Sequence, residues 1–463
     1  MAPPKILRPG DALEATCASL DETGAGVVDV PAGKEILRVH VQGALPGERV
    51  RARLDYVSTH QRAGVREAWA ETSEVLVSSP HRVAPFCPKQ GPCGSCPLTL
   101  AYPAQLAWKR ERVRERLAEY PELAGLAVEP CVPSPRTLGY RNQAKYVYGG
   151  AQHSGRPTLG AYAPRSHAIV DLSGCHVVEP VLDEARRVLL GILIEKAVEP
   201  FDEIRRTGIL RYVVMRATSS HKVLVTLVTA RADWNDATDV ANALAEQCPA
   251  VAGVVLNLNP TAGNTLFGDD EQPLFGQPTI DDEIGDVRVR LASRSFFQAN
   301  RDVASRIYRD LVAAVPESVG RAVDVYAGAG GIALSLAPIA HEVVAIEENM
   351  AATEVARTFI AEQTALGDRV HIVTGDAAAC LAQVNTADLV VLNPPRKGCA
   401  AQVLAAMKRL RPKHLLYLSC DPHTLARDLA VLARAGATVT RVTPYDMMPH
   451  TPHVEALAVL RMK

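Results

Sequence analysis

Ala322-Val-Asp324-Val-Tyr326-Ala-Gly328-Ala-Gly330-Gly331-Ile-Ala-Leu-Ser-Leu336 is the stretch that decides the architecture. A short apolar run meets a turn with three glycines, and a second apolar run follows at helical spacing. This reads as strand, turn, helix. Downstream the same alternation repeats. Strands are expected in HEVVAIEEN (341–349), VHIVTGDA (370–377), ADLVVLNPPRKG (387–398) and HLLYLSC (414–420). Helices are expected between them, in MAATEVARTFIAEQTAL, AQVLAAMKRL and HTLARDLAVLARAG. Regular β–α alternation from about Ser295 is the signature of a doubly wound parallel sheet, whose ligands sit at the carboxyl ends of the strands. The closing runs ATVTRV and VEALAVLRM read as a hairpin on the edge of that sheet.

Upstream the pattern differs. At 463 residues the chain is too long for a single core. Residues 1–75 alternate apolar and polar in short runs (AGVVDV, ILRVHV, RVRARLDYV). Gly24-Ala25-Gly26, Ala32-Gly33 and Leu45-Pro46-Gly47 punctuate them, which predicts a small β-barrel. The GxG turn and the LPGE of Leu45 to Glu48 resemble a TRAM domain, an RNA-binding barrel of the oligonucleotide-binding type. Residues 76–290 read as a mixed α+β domain with strands such as KVLVTLVT, and residues 291–463 as the Rossmann-like part of an α/β chain. No apolar run is long enough to span a bilayer. The start, MAPPKILRPG, lacks an apolar h-region. A cytoplasmic monomer with reduced thiols and no membrane partner is expected.

Formal net charge is −1, yet the charge is segregated. Arg205, Arg206, Arg211, Arg216, Lys222 and Arg231 fall in a stretch without an acid. So do Arg396, Lys397, Lys408, Arg409, Arg411 and Lys413, and Arg136, Arg141 and Lys145 add a third patch. Asp269 to Asp286 gathers seven acids and no base. Such segregation permits a basic face for nucleic acid despite a neutral total. Leu98 to Tyr120 predicts an amphipathic helix with Lys109, Arg110, Arg112, Arg114 and Arg116 lining its polar side.

Cys87, Cys93 and Cys96 lie in a loop rich in Gly and Pro and can present thiolates to one point. A fourth ligand must come from afar, and Cys175 in Ser-Gly-Cys-His is the best candidate. Four thiolates suit zinc or an iron–sulfur cluster. The uneven spacing and the remote fourth cysteine favour a [4Fe–4S] cluster with a structural role.

The chemistry collects at the strand ends of the last domain. Cys420 stands where LLYL stops and where Asp421 and Pro422 can start a helix, a position expected to favour a thiolate. Glu347 ends the second strand, where a carboxylate can accept both hydroxyls of a ribose. Gly375-Asp376 suits an adenine amino contact, which favours S-adenosylmethionine over a dinucleotide. Asn393 ends the fourth strand beside Cys420, and Glu455 precedes the last strand on the same edge. A thiolate, a carboxylate base and a methyl donor specify methylation of uracil C5. Sulfur adds at C6, C5 takes the methyl group, and the base removes the C5 proton. Gln298 and Asn393 would read the uracil edge.

SFFQAN (295–300), DVYAGAGG, NPPRKG, YLSCDP and DMMPHTPHVE, in this order, closely resemble the RNA 5-methyluridine methyltransferase family. The cysteine loop and the TRAM-like start resemble its ribosomal-RNA members, which carry a [4Fe–4S] cluster. The resemblance implies that Gln298, Tyr326, Glu347 and Asn393 bind the cofactor, Cys420 is the nucleophile, Glu455 is the base, and Cys87, Cys93, Cys96 and Cys175 hold the cluster. It implies RNA as partner: 23S ribosomal RNA first, uridine 54 of transfer RNA second. This chain has Ala327 where the family often has Cys, Gly331 where it often has Asn, and Asn393 where many members have Asp. Two other readings stay open, an amino-group methyltransferase acting through Asn393-Pro394-Pro395 and a non-catalytic RNA-binding protein whose cluster senses oxidants.

Overall fold

The computed structural model describes all residues except 1–6, Gly33, Lys34, His153, Ala262, Asn264 and Lys463, with backbone alone for Thr364 and Ala365. The readings placed on the first six residues and on Gly33 lie outside the described residues. Among the described residues no helix is long and apolar enough to cross a membrane. The chain forms two compact units: residues 1–108 with Pro449–Pro452, and residues 109–448 with His453–Lys463.

The first unit holds a six-stranded sheet. Its order is Ala12–Thr16, Arg49–Arg62, Val65–Val77, Glu35–Gln42, Gly26–Ala32, Ser19–Leu20. Neighbours are antiparallel except for the parallel pair Glu35–Gln42 and Val65–Val77. The strands are not uniformly short, since two run 14 and 13 residues. Register shifts near Val50, Ala52 and Tyr56 let these strands bend without ending. The LPGE turn is locked by Glu48. Its buried carboxylate accepts from the Leu45 and Ser79 N–H groups and pairs with Arg82.

The second unit contains a seven-stranded sheet in the order Asp270–Gly276, Val251–Leu258, Val223–Thr229, Leu210–Ala217, Gln143–Gly150, Pro157–Tyr162, Ile169–Asp171. Helices Pro180–Glu195 and Ala237–Gln247 cover it, with Leu182, Leu189, Leu193, Val213, Val225 and Leu244 in the core between. A hairpin, Thr279–Ile284 with Val287–Ala292, follows.

The last sheet runs Val370–Thr374, Ala340–Glu347, Val319–Val325, Leu389–Leu392, His414–Ser419, Glu455–Met462, Ala437–Tyr445. In chain order this is 3-2-1-4-5-7-6. The first five strands are parallel, and the closing hairpin is antiparallel with strand 7 inserted next to strand 5. Leu389–Leu392 and His414–Ser419 are wholly buried. Val391, Leu416 and Leu418 enter one core; Val390, Leu392, Leu415 and Tyr417 enter the other. Helices on both faces explain why these strands read as continuous apolar runs. Strand order reverses between strands 1 and 4, and a crevice opens there.

Candidate active site

At that crevice a cleft of about 950 Å³ is lined by Gln298, Tyr326, Glu347, Asp376, Asn393, Cys420 and Glu455, together with Phe296, Arg396 and Asp428. The structure therefore gathers the seven residues read from the sequence as nucleophile, base and cofactor ligands into one cavity.

Cys420 directly follows the strand His414–Ser419, and Glu455 opens the antiparallel neighbour Glu455–Met462. Ser419 is in register with Ala456, so Cys420 and Glu455 are the next step outward on adjoining strands. The helix after Cys420 begins as expected, with Asp421 capping the His423 and Thr424 N–H groups and Pro422 in the first turn. The expected thiolate does not follow. Burial, then the Glu455 carboxylate, push the Cys420 thiol up to about 11, against the charge of Arg396. The helix N-terminus does not offset burial and Glu455, because its cap leaves nothing for the sulfur. Pro422 has no N–H, the next two amides are already bound by Asp421, and the charge of Asp421 disfavours a second anion. Glu455 is only 6% exposed. Burial pushes its carboxyl up to about 8, again opposed by Arg396. Arg396 Nη2 donates to His453 Nδ1 at 3.3 Å.

The other wall comes from the glycine turn. Tyr326, Gly328 and Gly330 all take positive φ, and Gly330 caps the helix Gly331–Leu336. Such a backbone lets a ligand approach closely. The Glu347 carboxylate is immobilised, with one oxygen accepting from Gly328 N–H at 2.8 Å and the other from Asn349 N–H at 2.9 Å. Asp376 caps the helix Ala377–Gln383 through Ala379 N–H. Asn393 sits at the end of strand 4, its N–H bonded to the Val325 carbonyl. The loop after it is anchored by a residue that sequence reading missed. Buried Asp428 accepts from Tyr417 Oη at 2.6 Å, Cys399 N–H at 2.8 Å and Arg427 Nε at 2.8 Å. A Cβ at Gly398 would lie 2.7 Å from the Asp428 carboxylate, which is why the loop reads Arg-Lys-Gly.

Gln298 is held from the central sheet. Asn142 donates to its carbonyl at 3.0 Å, and fully buried Arg216 donates to the Ser295 carbonyl at 2.7 Å. Asn300 caps the helix Arg301–Ala313. Arg301 is buried and pairs with Glu179 and Asp282.

The first basic run needs correction in part. Arg205 pairs with Asp202, buried Arg211 with Glu203, and Arg231 with Asp233, so acids just outside the run partner three of its six cations. Lys109 is not on the polar face of the helix Tyr102–Ala118. It is fully buried against Asp446 and the Met448 carbonyl. The acid-rich stretch is likewise partnered, Asp281 to Arg290 and Asp282 to Arg301. His450 packs in the first unit, its ring 4.5 Å from Phe86 and its N–H on Gln105.

Cys87, Cys93 and Cys96 are half-buried on one loop, and Lys89 N–H donates to Cys87 Sγ at 3.4 Å. Cys175 belongs to the second unit. Among the described residues, no group of three or more His, Cys, Asp or Glu side chains could hold a metal ion.

The family model for tRNA (uracil-5-)-methyltransferase matches residues 377–463, and that for the methyltransferase small domain matches residues 286–418. A protein of Geobacter sulfurreducens named as an RNA methyltransferase is 38% identical over 98% of this chain and 90% of its own length. The chain belongs to the RNA (uracil-5-)-methyltransferase family. A relative from Halalkalibacterium halodurans, also named as an RNA methyltransferase, is 32% identical over 98% of this chain and 97% of its own. The methyltransferase fold is shared with the Pyrococcus abyssi tRNA (uracil-54, C5)-methyltransferase solved with S-adenosyl-L-homocysteine. That match has a TM-score of 0.74 and 25% identity, and covers 97% of this chain and all of the other.

Proposed function

We propose that this methyltransferase transfers a methyl group from S-adenosylmethionine to C5 of a uridine in RNA, with Cys420 as nucleophile and Glu455 as base. The observation that carries the proposal is that Cys420 and Glu455 stand on adjoining strand ends in one cleft. Gln298, Tyr326, Glu347, Asp376 and Asn393 would hold the donor. The immobilised Glu347 carboxylate beside a side-chain-poor turn fits a ribose diol, and the bound sulfonium supplies an electrophilic methyl group. Cys420 sulfur forms a bond to C6, and the C5–C6 π electrons pass to O4. C5 then takes the methyl group. Glu455 removes the C5 proton, and the S–C6 bond breaks as the double bond returns. A base that reacts at C5 and C6 inside a cleft must first leave its stack.

For the RNA, the TRAM-like first unit and the cysteine loop favour ribosomal RNA. Transfer RNA is the second reading, favoured by the named substrate of the Pyrococcus abyssi protein. A cytoplasmic location accords with either. The spacing of Cys87, Cys93 and Cys96 along one loop, and not the arrangement of their side chains, is the ground for a [4Fe–4S] cluster with Cys175 as fourth ligand. Anaerobic protein should then absorb near 400 nm, and a colourless sample carrying zinc would exclude the cluster. The function itself is tested by labelled methyl transfer to purified ribosomal and transfer RNA with the product nucleoside mapped. Product other than 5-methyluridine, or a Cys420→Ser variant that retains activity, would point to an amino-group methyltransferase acting through Asn393.

A further inference from the structure

We infer that His453 is a positioning residue: as a neutral imidazole accepting at Nδ1, it holds Arg396 beside the Cys420–Glu455 pair. The inference rests on the reading of those two residues given above.

Arg396 is an exposed side chain on the loop after strand 4, and a long exposed arginine is mobile unless something fixes it. The contact at 3.3 Å to His453 Nδ1 joins it to the segment that leads directly into Glu455. A guanidinium has donors and no acceptor, so this contact needs a lone pair on Nδ1. A protonated imidazole would donate from both nitrogens and repel the guanidinium. The surroundings favour the neutral ring. His453 is half-buried, and Arg396, Lys109, Arg112 and Arg141 all act on it as cations that disfavour its protonation. Burial and these cations push its pKa down to about 4. Across the ordinary working range, then, His453 is an acceptor.

What it holds in place matters to both reacting groups. Arg396 is the cation that opposes the upward shift of the Cys420 thiol, and it opposes that of the Glu455 carboxyl too. A guanidinium swung into solvent would leave both groups harder to ionise, with no change in the fold. His453 acts on the reaction through that charge.

The test compares three substitutions. His453→Asn puts an amide oxygen close to the place of Nδ1 and cannot protonate. His453→Gln puts its oxygen nearer the place of Nε2. His453→Ala has no acceptor. For His453→Ala and His453→Gln, kcat/KM at pH 7.5 should fall about tenfold, the alkaline rise of the profile should move up by about one pH unit, and KM for RNA should change little. His453→Asn should restore rate and profile. In an Arg396→Ala background, His453→Ala should add nothing further. A wild-type profile for His453→Ala overturns the inference. So does His453→Asn behaving like His453→Ala, or full additivity with Arg396→Ala. Wild-type protein and Cys420→Ala run alongside. If wild-type protein makes no 5-methyluridine, or Cys420→Ala still does, the underlying reading has failed instead.

Discussion

Glu455→Gln should make the protein more stable and at the same time inactive, with a stabilisation that grows as pH rises. Glu455 is buried, and its carboxyl titrates near 8 in the folded chain against an ordinary 4.5. A folded-state pKa above the unfolded value means that the folded protein holds the proton more tightly. The stability this gives is present in full below about pH 4.5 and is lost as pH rises through 8. The total loss is roughly 5 kcal/mol, of which only about 1 kcal/mol has gone at pH 5.5. Glutamine fills the same space and has nothing to ionise. The gap in Tm between Glu455→Gln and wild type should therefore be small at pH 5.5 and widen to several degrees at pH 8.5. Scanning calorimetry at four pH values measures it. A gap that stays constant with pH, or a variant less stable at pH 8.5, would refute the claim that burial of this carboxyl sets its pKa. In the same preparation, RNA bonded to Cys420 should persist in a denaturing gel: without the neighbouring carboxylate the thiol gives its proton to solvent more readily and still adds to C6, whereas the C5 proton has lost its acceptor. Turnover of Glu455→Gln at the wild-type rate would remove Glu455 as the base.

Further outcomes follow from the same geometry. Cys420 should alkylate slowly at pH 7.5 and faster in Glu455→Gln, since the neighbouring carboxylate helps push its thiol up to about 11; mass-spectrometric peptide mapping reads this, and equal rates would deny the coupling. Asp428→Asn should lose roughly 1–3 kcal/mol and weaken binding of S-adenosylhomocysteine by titration calorimetry, because the Cys399 N–H and Tyr417 hydroxyl lose a charged acceptor under the Asn393 loop. Lys109→Met should destabilise by roughly 3–5 kcal/mol by leaving Asp446 buried and unpaired, whereas Lys109→Met with Asp446→Leu should recover much of that in chemical denaturation.

The doubly wound sheet was legible because its strands are buried on both faces and its helices on one. The two periods alternate cleanly from Ala322 to the end. The strand-end residues were legible for the same reason: in such a sheet, the residue after each apolar run faces the crevice. What failed was charge. A run of basic residues without acids reads as an open basic face, yet Asp202, Glu203 and Asp233 stand just outside that run and partner three of its six cations. Lys109 reads as a polar-face residue because its partner Asp446 lies 337 residues away. Asp428 was invisible for a similar reason, since a carboxylate on a helix looks solvated until the loop it anchors is folded against it. The ionisation of Cys420 could not be read from a helix N-terminus alone, because the cap that starts the helix uses the amides that would have served the sulfur.

The pKa values of the pair constrain how the proposed reaction can run. With the carboxyl at about 8 and the thiol at about 11, the first proton lost belongs to Glu455, so the reactive form is a thiol beside a carboxylate. Sulfur can then add to C6 only as its proton moves away, and Glu455 is the neighbouring acceptor. The same carboxylate must be free again to take the C5 proton, so between the two transfers it must release one proton to solvent. That matches the stoichiometry, in which a sulfonium cation and a C–H bond become a neutral thioether, a C–CH3 bond and one free proton. When the sulfur leaves C6 it recovers a proton from Glu455, and the starting form returns. Mutual repulsion thus has a use. It keeps no more than one negative charge in the cleft: on the carboxylate while the sulfur carries hydrogen, on the enolate once sulfur has added to C6, on the carboxylate again after its proton has gone to solvent, and on the sulfur only as a bond at C6 is made or broken.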